Sequence, residues 1–240
     1  MAWLDPPPAA ALVAAKASLQ ALDALDADGA ITDHGRRMAS LPMAPGLAHM
    51  LLFAAKRGAA REAARLALLL QERGLGGRGE DLALRLDRWN GDRSGRAESS
   101  RQLARRWEER ANQLVKRQHE DPPPLAVLLA EASPENIAKR RDVAGEDWLT
   151  AGGRGLRLDP ASTLARAQWL AIGDAQGEAK GARITGAIEL TEAEVQRWLA
   201  HRIERRSVLR WIADDRRVEA LVEGRLGAIA LARGSDPAPD

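Results

Sequence analysis

Residues 25–52 read LDADGAITDHGRRMASLPMAPGLAHMLL. In this stretch Asp26-Ala27-Asp28-Gly29 predicts a tight turn, because glycine tolerates a positive φ and aspartate can hydrogen-bond to its own backbone. Thr32 stands where the N-cap of a short basic helix belongs. Pro42 and Pro45 then end that helix and open a more apolar one, because proline has no N–H donor and disfavours helix in the residue before it.

The hydrophobic spacing on either side of this stretch predicts a helical first half. Leucines near one face of residues 9–25 indicate an amphipathic helix. Further helices are predicted at 46–57, 60–73, 80–89, 95–118 and 125–132. In the 95–118 helix we expect Leu103, Trp107 and Leu114 to be buried.

After about residue 145 the pattern changes to the alternation of short β-strands. Strands are predicted at 148–149, 155–158, 169–172, 182–190, 208–212, 217–222 and 226–231, the last three as a closing meander. Thr191 and Glu194 form a capping box that starts one inserted helix. Several short strands with one helix are typical of a small Greek-key barrel of the OB type.

The predicted fold class is therefore α+β, with an N-terminal α-helical part followed by a C-terminal OB-like β-barrel. The expected boundaries are 1–45 and 46–132 for two helical segments and 133–235 for the barrel. Residues 236–240, which contain Pro237 and Pro239, are expected to be a disordered tail.

Several short motifs resemble a known family. Trp3-Leu4-Asp5-Pro6-Pro7-Pro8 and the quoted 25–52 stretch resemble the junction between the winged-helix and ratchet domains of DEAH-box RNA helicases. Three later motifs resemble the bacterial HrpB-type branch, and they are residues 134–141 (PENIAKRR), 151–155 (AGGRG) and 201–204 (HRIE). The chain departs from that branch at Asn136 and Gly152, where arginine and asparagine are usual.

The resemblance assigns a role to each segment. It implies a partial winged helix in 1–45, a helical ratchet, or helicase-associated, domain in 46–132, and an OB-like barrel in 133–235. In such helicases the ratchet and OB domains line the exit side of the channel for single-stranded RNA.

Composition bounds the class of protein. The apolar fraction of 45% and the charged fraction of 29% are ordinary for a soluble globular protein. No apolar run approaches the roughly 20 residues of a membrane span, and we expect no membrane contact. The chain has no cysteine, which excludes disulfides. The start shows no signal-peptide pattern, so a cytoplasmic location is expected.

The sequence lacks the motifs of a helicase motor. A phosphate-binding loop needs Gly-Lys-Ser/Thr, but all five lysines follow alanine or valine, and no Asp-Glu-Ala-His occurs. We expect this chain to be the accessory part of a longer helicase, inactive alone and without a cofactor of its own. The resemblance implies that ATP and Mg are bound by absent RecA-like domains. The four histidines have no metal-ligand spacing, so no metal is expected.

Basic residues give the first candidate site, although the net charge is only +2. Residues 101–117 hold six cations and two glutamates, a net charge of +4. Within them Arg105, Arg106 and Arg110 are candidates for binding phosphates. A solvated helix face with charge pairs four residues apart explains the same pattern.

The second candidate site lies near the start of the predicted barrel. Lys139, Arg140 and Arg141 precede it, and Arg154 and Arg157 flank a glycine-rich turn between its first strands. Guanidinium groups bind phosphate through two hydrogen bonds, and glycines allow close approach of a backbone. The alternative is that these cations keep the barrel soluble.

Two functions from different classes fit these features. The chain is expected to grip single-stranded RNA or DNA while the missing RecA-like domains hydrolyse ATP. Alternatively it is a docking module for protein regulators, or a scaffold, with no nucleic-acid contact. Trp107, Trp169, Trp198 and Trp211 fall on apolar stripes and are expected in the core. Binding to a single strand should then depend on charge and on salt.

Overall fold

The computed structural model describes residues 7–177, 181–212 and 217–235, with the backbone alone for 208–212, 217–221 and 232–235. The described helices are α1 (Ala9–Ala21), α2 (Asp33–Ala39), α3 (Pro45–Lys56), α4 (Ala60–Gln71), α5 (Leu82–Gly91), α6 (Gly95–Leu114), α7 (Leu125–Ala132) and α8 (Glu192–Trp198). The described strands are β1 (Ile137–Arg140), β2 (Asp147–Thr150), β3 (Gly155–Arg157), β4 (Trp169–Gln176), β5 (Ala182–Leu190), β6 (Glu204–Ile212), β7 (Arg217–Leu226) and β8 (Ile229–Ser235). The predicted α+β class, with helices first and an OB-like barrel after them, is confirmed. The predicted tail at 236–240 lies outside the described residues.

The chain forms two compact units. The helical unit comprises residues 1–71 and 93–123, and holds α1 to α4 and α6. The barrel unit comprises residues 72–92 and 124–240, and holds α5, α7, α8 and the strands. The domain boundary expected at residue 132 stays a prediction, and the compact units divide the chain differently because α5 and α7 belong with the barrel.

The core of the helical unit lies among α3, α4 and α6. The face that α6 buries is a stripe of mostly small side chains three or four positions apart, which are Ala97, Ser100, Ala104, Trp107 and Ala111. That spacing keeps one side of a helix against its neighbours. Trp107 is buried as predicted, whereas Leu103 and Leu114 are only half-buried at the edge of the stripe.

The quoted stretch folds as its residues predict. Gly29 has a φ of +85°, and the turn before it closes with the Asp26 amide donating to the Ala30 carbonyl over 2.9 Å. Thr32 caps α2 by accepting from the Gly35 amide over 2.9 Å. The first helix ends at residue 21 rather than 25 and buries none of its residues, so the amphipathic prediction for 9–25 was wrong.

The barrel closes in the order β1-β2-β3-β5-β4, because β1 pairs antiparallel with both β2 and β4. Its interior is filled by side chains such as Trp148, Leu156 and Leu170. The strand prediction missed β1 and placed Lys139 and Arg140 before the barrel. With only Ile137 and Ala138 apolar among its four residues, β1 shows no alternation to read.

The meander β6-β7-β8 is a separate three-stranded sheet, so the expectation that it closes the barrel was wrong. The physical reason is that β1 already occupies the closing position between β2 and β4. The β7–β8 turn instead rests on the β2–β3 turn, where the Ala228 amide donates to the Ala151 carbonyl over 2.8 Å.

Two helices pack on the outside of the barrel. The Ala187 amide of β5 donates to the Glu80 carbonyl just before α5 over 2.8 Å. In α7, residues 126–132 are all buried, and the helix packs against β4 and β5. Its Glu131, only 2% exposed, binds Arg202 from the HRIE motif with a 2.6 Å contact. The barrel unit is therefore held together partly by a buried ion pair.

Candidate nucleic-acid interface

The predicted cations of α6 lie on its exposed side. Arg105, Arg106 and Arg110 are all exposed, while Ala104 and Trp107 of the same helix face the core. Arg106 and Arg110 are four residues apart and therefore neighbours along the helix surface. The helical geometry thus places all three guanidinium groups where a ligand in solvent can reach them.

Two arginines of α4 add to this charge. Burial, followed by the nearby Arg61, lowers the pKa of Arg65, and Arg101 and Arg105 of α6 lower it further. Glu62 acts in the opposite direction. Like charges shift a pKa in this way only when they lie close together. We call Arg61, Arg65, Arg101 and Arg105 the α4–α6 arginine cluster.

Carboxylates also lie near the cluster. They include Glu62 and Glu98, and the latter binds Arg101 over 3.0 Å. The Arg101 side chain is only 12% exposed and so belongs to the base of the cluster. Sequence reasoning missed Arg61 and Arg65 because they precede Arg101 and Arg105 by 40 positions. Their spacing of four residues, which places both on one face of a helix, was the signal in the sequence that could have identified them.

In the barrel, the first two predicted cations make internal contacts. The Lys139 ammonium lies 5.0 Å from the ring centroid of the buried Trp169, a cation–π geometry. One Nη of Arg140 donates to the carbonyls of Ala165 and Arg166 over 3.1 and 3.2 Å. Both side chains are half-buried and help to hold the barrel's own backbone and core.

The remaining barrel cations are divided between two ends of the β2–β3 hairpin. Arg157 stands opposite Asp147 in the register, and its guanidinium forms ion pairs with Glu146 and Asp147. The Arg154 amide donates to the Thr150 hydroxyl at the other end. A strand of this length separates the two ends by roughly 10 Å.

Arg141 shares an end with Arg157, since its amide donates to the Asp147 carbonyl over 2.9 Å. Its side chain is exposed, as is that of Arg154. Neither forms an ion pair with another residue in the part of the chain that the structure describes. Arg140, Arg141 and Arg157 therefore lie toward the same end of their strands, and Arg154 lies at the opposite end of the β2–β3 hairpin.

The glycine-rich turn has an internal role. The Gly152 amide donates to the Glu135 carbonyl over 2.8 Å, and the Cβ position of Gly153 lies 3.6 Å from the Ala228 side chain. These glycines admit the protein's own backbone, which differs from the predicted approach of a phosphate chain. Gly155 alone has open space around its Cβ position.

Most of the described tryptophan side chains are buried and so are not placed to stack on nucleic-acid bases. Trp107 and Trp169 are buried, as expected, and so are Trp89 and Trp148. Trp198 is half-buried with the Arg197 guanidinium 5.2 Å from its ring centroid, so its predicted core position was only partly right. The side chain of Trp211 lies outside the described residues.

The described ranges also bear on metal binding and on membrane insertion. Among those residues, His, Asp and Glu side chains do not gather in groups of three or more that suit a metal ion. The described helices also include none with the length and apolar character needed to cross a membrane.

Comparison with known proteins supports a common origin. The family model described as "Helicase associated domain (HA2), winged-helix" matches residues 18–43. Over 175 residues, 71% of this chain and 20% of the relative, the sequence is 37% identical to ATP-dependent RNA helicase HrpB of Escherichia coli (strain K12). The crystal structure of the E. coli DExH-box NTPase HrpB superposes with a TM-score of 0.82 at 30% identity, covering 100% of this chain and 28% of that one.

The chain corresponds to the C-terminal region of a HrpB-type DEAH helicase. A shorter similarity links the HrpB-type region to the pre-mRNA-splicing factor ATP-dependent RNA helicase prp22 of Schizosaccharomyces pombe, at 43% identity over 60 residues, 25% of this chain and 5% of that protein. The chain spans only 20% of the length of the E. coli relative.

The residues that match the family model, 18–43, include the capped helix α2. Residues 18–43 contain Thr32, whose hydroxyl both caps α2 and donates to the Asp23 carbonyl over 2.6 Å. Arg36 of the same stretch pairs with Asp33 over 3.0 Å, on an exposed surface. The later HRIE motif supplies Arg202 to the buried Glu131. Both motifs are thus explained by contacts inside the fold.

Proposed function

We propose that this region holds the phosphate backbone of single-stranded RNA or DNA while RecA-like domains of a complete helicase hydrolyse ATP and bind its Mg. The observation that carries the proposal is the α4–α6 arginine cluster. The E. coli relative is named as an ATP-dependent RNA helicase, and that name supports the substrate class. A cytoplasmic location and no membrane partner belong to the same proposal.

The charge balance of the cluster explains why a polyanion suits it. Burial lowers the pKa of Arg65 most, and repulsion from Arg61, Arg101 and Arg105 adds to it. A phosphate that approaches relieves this repulsion, because each phosphate oxygen can accept from a guanidinium. Arg106 and Arg110 continue the exposed charge along α6. Such binding releases counterions and is independent of sequence.

The barrel contributes less in this proposal than its arginine content predicts. Arg157 already has two carboxylate partners, whereas only one Nη of Arg140 is held by carbonyl groups and its other N–H groups stay available. Arg141 and Arg154 keep exposed side chains for a ligand. We therefore assign the main grip to α4 and α6 and an auxiliary one to the barrel.

Binding of a fluorescent single-stranded oligonucleotide to the 240-residue chain tests the proposal. Arg105→Glu should weaken binding by about five- to tenfold at low salt, because it removes one cation that neutralises a phosphate and adds a repulsive charge. Arg205→Glu makes the same change of charge on β6 and is the matched control. Equal affinity of the two variants would argue against the cluster.

The same chain should not hydrolyse ATP, because the sequence has no Gly-Lys-Ser/Thr and no Asp-Glu-Ala-His motif. A malachite-green assay for released phosphate, with and without the oligonucleotide, checks this. Turnover above that of a buffer blank would contradict the assignment as an accessory region.

A second function, docking of protein, is favoured by an apolar surface in the helical unit. Leu12, Val13 and Ile31 are 54%, 69% and 46% exposed. Beside Ile31 a cavity of about 280 Å³ is lined mainly by apolar side chains, including Leu19 and Met38. Exposed apolar clusters commonly mark protein contacts. If this surface receives motor domains or a regulator, Val13→Glu should abolish that association and leave oligonucleotide binding unchanged.

A further inference from the structure

A groove at one end of the barrel has the chemistry of a small anion site. It has a volume of about 750 Å³, within the range of ligand sites, and lies between the β1–β2 loop and the loop that follows β3. Its polar lining comes from Arg140, Arg166, Ser162 and Thr163. The described residues that line it include no carboxylate.

The carboxylates nearest in sequence are engaged elsewhere. Asp142 accepts from the amides of Glu146 and Asp147 over 3.3 and 3.0 Å. Asp159 binds Arg183 over 3.1 Å, and Glu146 binds Arg157. The two groove arginines are therefore not neutralised by these neighbours, and the groove favours a negatively charged ligand.

The two arginines are held differently. Arg140 is fixed through the hydrogen bonds that one Nη donates to the carbonyls of Ala165 and Arg166. Arg166 is exposed, and within the described ranges it has no ion-pair partner. One preorganised and one adaptable guanidinium, with two nearby hydroxyls, suit a phosphate group.

An apolar side chain stands at the rim of the same groove. Val143 is 96% exposed at the tip of the β1–β2 loop, although this loop is firmly built. The Trp148 indole N–H donates to the Gly145 carbonyl over 2.8 Å. Gly145, with a φ of +77°, packs so closely that an added Cβ would overlap the Ala165 carbonyl oxygen.

A rigid loop that presents a valine to solvent offers apolar contact with little loss of conformational freedom. Pro160 adds a second apolar group to the lining. A lone phosphate or sulfate would use the arginines and leave these groups without a role.

We propose that this groove binds one nucleotide unit, with its phosphate on Arg140 and Arg166 and its base against Val143 and Pro160. The unit is either a free nucleotide or one residue of a single strand, and the second case rests on the proposed function. In the second case the groove fixes one position of the strand on the barrel. Arg140 is one of the five barrel cations predicted to bind nucleic acid, whereas Arg166 is not among them.

Amide NMR of the ¹⁵N-labelled 240-residue chain tests the proposal, with 5′-AMP, adenosine and inorganic phosphate as separate probes. AMP should shift the amide signals of residues 143–145 and 162–166. Phosphate and adenosine alone should each bind at least about fivefold more weakly, because each makes only half of the contacts. AMP that bound no better than phosphate would overturn the role of the apolar rim.

Variants separate charge from apolar contact. Arg166→Glu should weaken AMP binding by about tenfold, and Val143→Ser by about fivefold, while Arg205→Glu should have no effect. Val143→Ser removes the apolar group without adding a charge, and its exposed position at the tip leaves the folding contacts of the loop intact, so its spectrum reports on the apolar contact. Unchanged AMP affinity in Arg166→Glu would overturn the site.

An oligouridine titration distinguishes the source of the nucleotide from failure of the proposed function. If the strand shifts the groove signals at lower concentration than AMP does, the unit belongs to the strand. If AMP binds in the groove and no strand binds anywhere, the gripping function fails and the groove takes free nucleotides. If strand affinity falls in Arg105→Glu but no probe shifts the groove, the groove assignment fails alone. An acidic peptide that shifts these signals more than AMP does would also overturn it.

Discussion

The helical unit and the barrel unit differ in the surroundings of their arginines. In the helical unit burial lowers the pKa of Arg65, and Arg61, Arg101 and Arg105 lie close enough to lower it further, while Glu62 acts in the opposite direction. In the barrel unit Arg157 pairs with two carboxylates and Arg202 pairs with a buried glutamate. The number of arginines in a region therefore does not tell how many guanidinium groups are available to bind a ligand. What matters is whether the fold has already supplied each guanidinium with a partner.

Removal of Arg202 should give the largest effect on stability. Arg202→Ala leaves the Glu131 carboxylate, 2% exposed, without its 2.6 Å partner. Breaking one side of a buried pair typically costs about 3–5 kcal/mol. Urea denaturation should show this loss, whereas the exposed Arg106→Ala should change stability by less than about 0.5 kcal/mol. If Arg202→Ala and Arg106→Ala had similar urea midpoints, the proposed difference between a buried, paired arginine and an exposed one would be contradicted.

Gly145→Ala tests the rigidity of the barrel's β1–β2 loop. The residue has a φ of +77°, and a Cβ there would meet the Ala165 carbonyl. We expect a loss of about 2 kcal/mol from backbone strain and displacement of the loop. Gly155→Ala, where the Cβ position is open, is the matched control and should be near neutral. If Gly145→Ala were no less stable than Gly155→Ala, the close packing described for this loop would be contradicted.

Acid should destabilise the helical unit through His34. Burial first, then His49 and Lys56, lower the pKa of His34 from 6.5 to about 4. Its Nε2 lies 2.9 Å from Nδ1 of His49, which itself lies 3.0 Å from the Leu22 carbonyl oxygen. Because a carbonyl only accepts, Nδ1 of His49 carries the proton and His34 must accept through an unprotonated Nε2.

The pH dependence follows from this arrangement. Above pH 6.5 His34 is neutral in both the folded and the unfolded chain. Its titration therefore takes nothing from the free energy of unfolding in that range. As the pH falls from 6.5 towards 4, the unfolded chain takes up the proton first and stability decreases. Allowing for the screening of a half-buried group, the loss is roughly 1–3 kcal/mol. Urea midpoints between pH 7 and 4 check this, and a slope unchanged in His34→Leu would contradict it.

Replacing either of two threonine N-caps, one in each unit, should lower stability by a smaller and similar amount. Thr32 accepts from the Gly35 amide at the start of α2, and Thr191 accepts from the Glu194 amide at the start of α8. Replacement of either by alanine should cost about 1 kcal/mol. Thr→Ser variants, which keep the hydroxyl, should retain most of the stability in thermal melts. A cost confined to one unit would show that the caps depend on their surroundings.

Local chemistry in the sequence predicted much of this fold. The turn at Gly29, the cap at Thr32 and the capping box at Thr191 depend on neighbouring residues, and each is present in the structure. The exposed face of α6 also follows from a period of 3.6 residues. Elements that depend on distant partners were harder to predict, and β1 was missed because half of it is charged.

The site was predicted less fully, for the same physical reason. Arg105 could be selected from its helix, but its neighbours Arg61 and Arg65 arrive through packing of α4 on α6. The partners of Arg157 depend on strand register, which places Asp147 opposite it. Arg166 lies in a short 3₁₀ turn with no periodic pattern, and only the fold brings it to the groove with Arg140.

The salt dependence of single-strand binding tests the central contrast most directly. The slope of log affinity against log salt should fall by about 0.7 for each phosphate that the protein no longer neutralises. Arg105→Ala and Arg61→Ala in the helical unit should each lower it by about that amount, and Arg157→Ala in the barrel unit should leave it unchanged. A slope that falls for Arg157→Ala and not for the two helical variants would contradict the account.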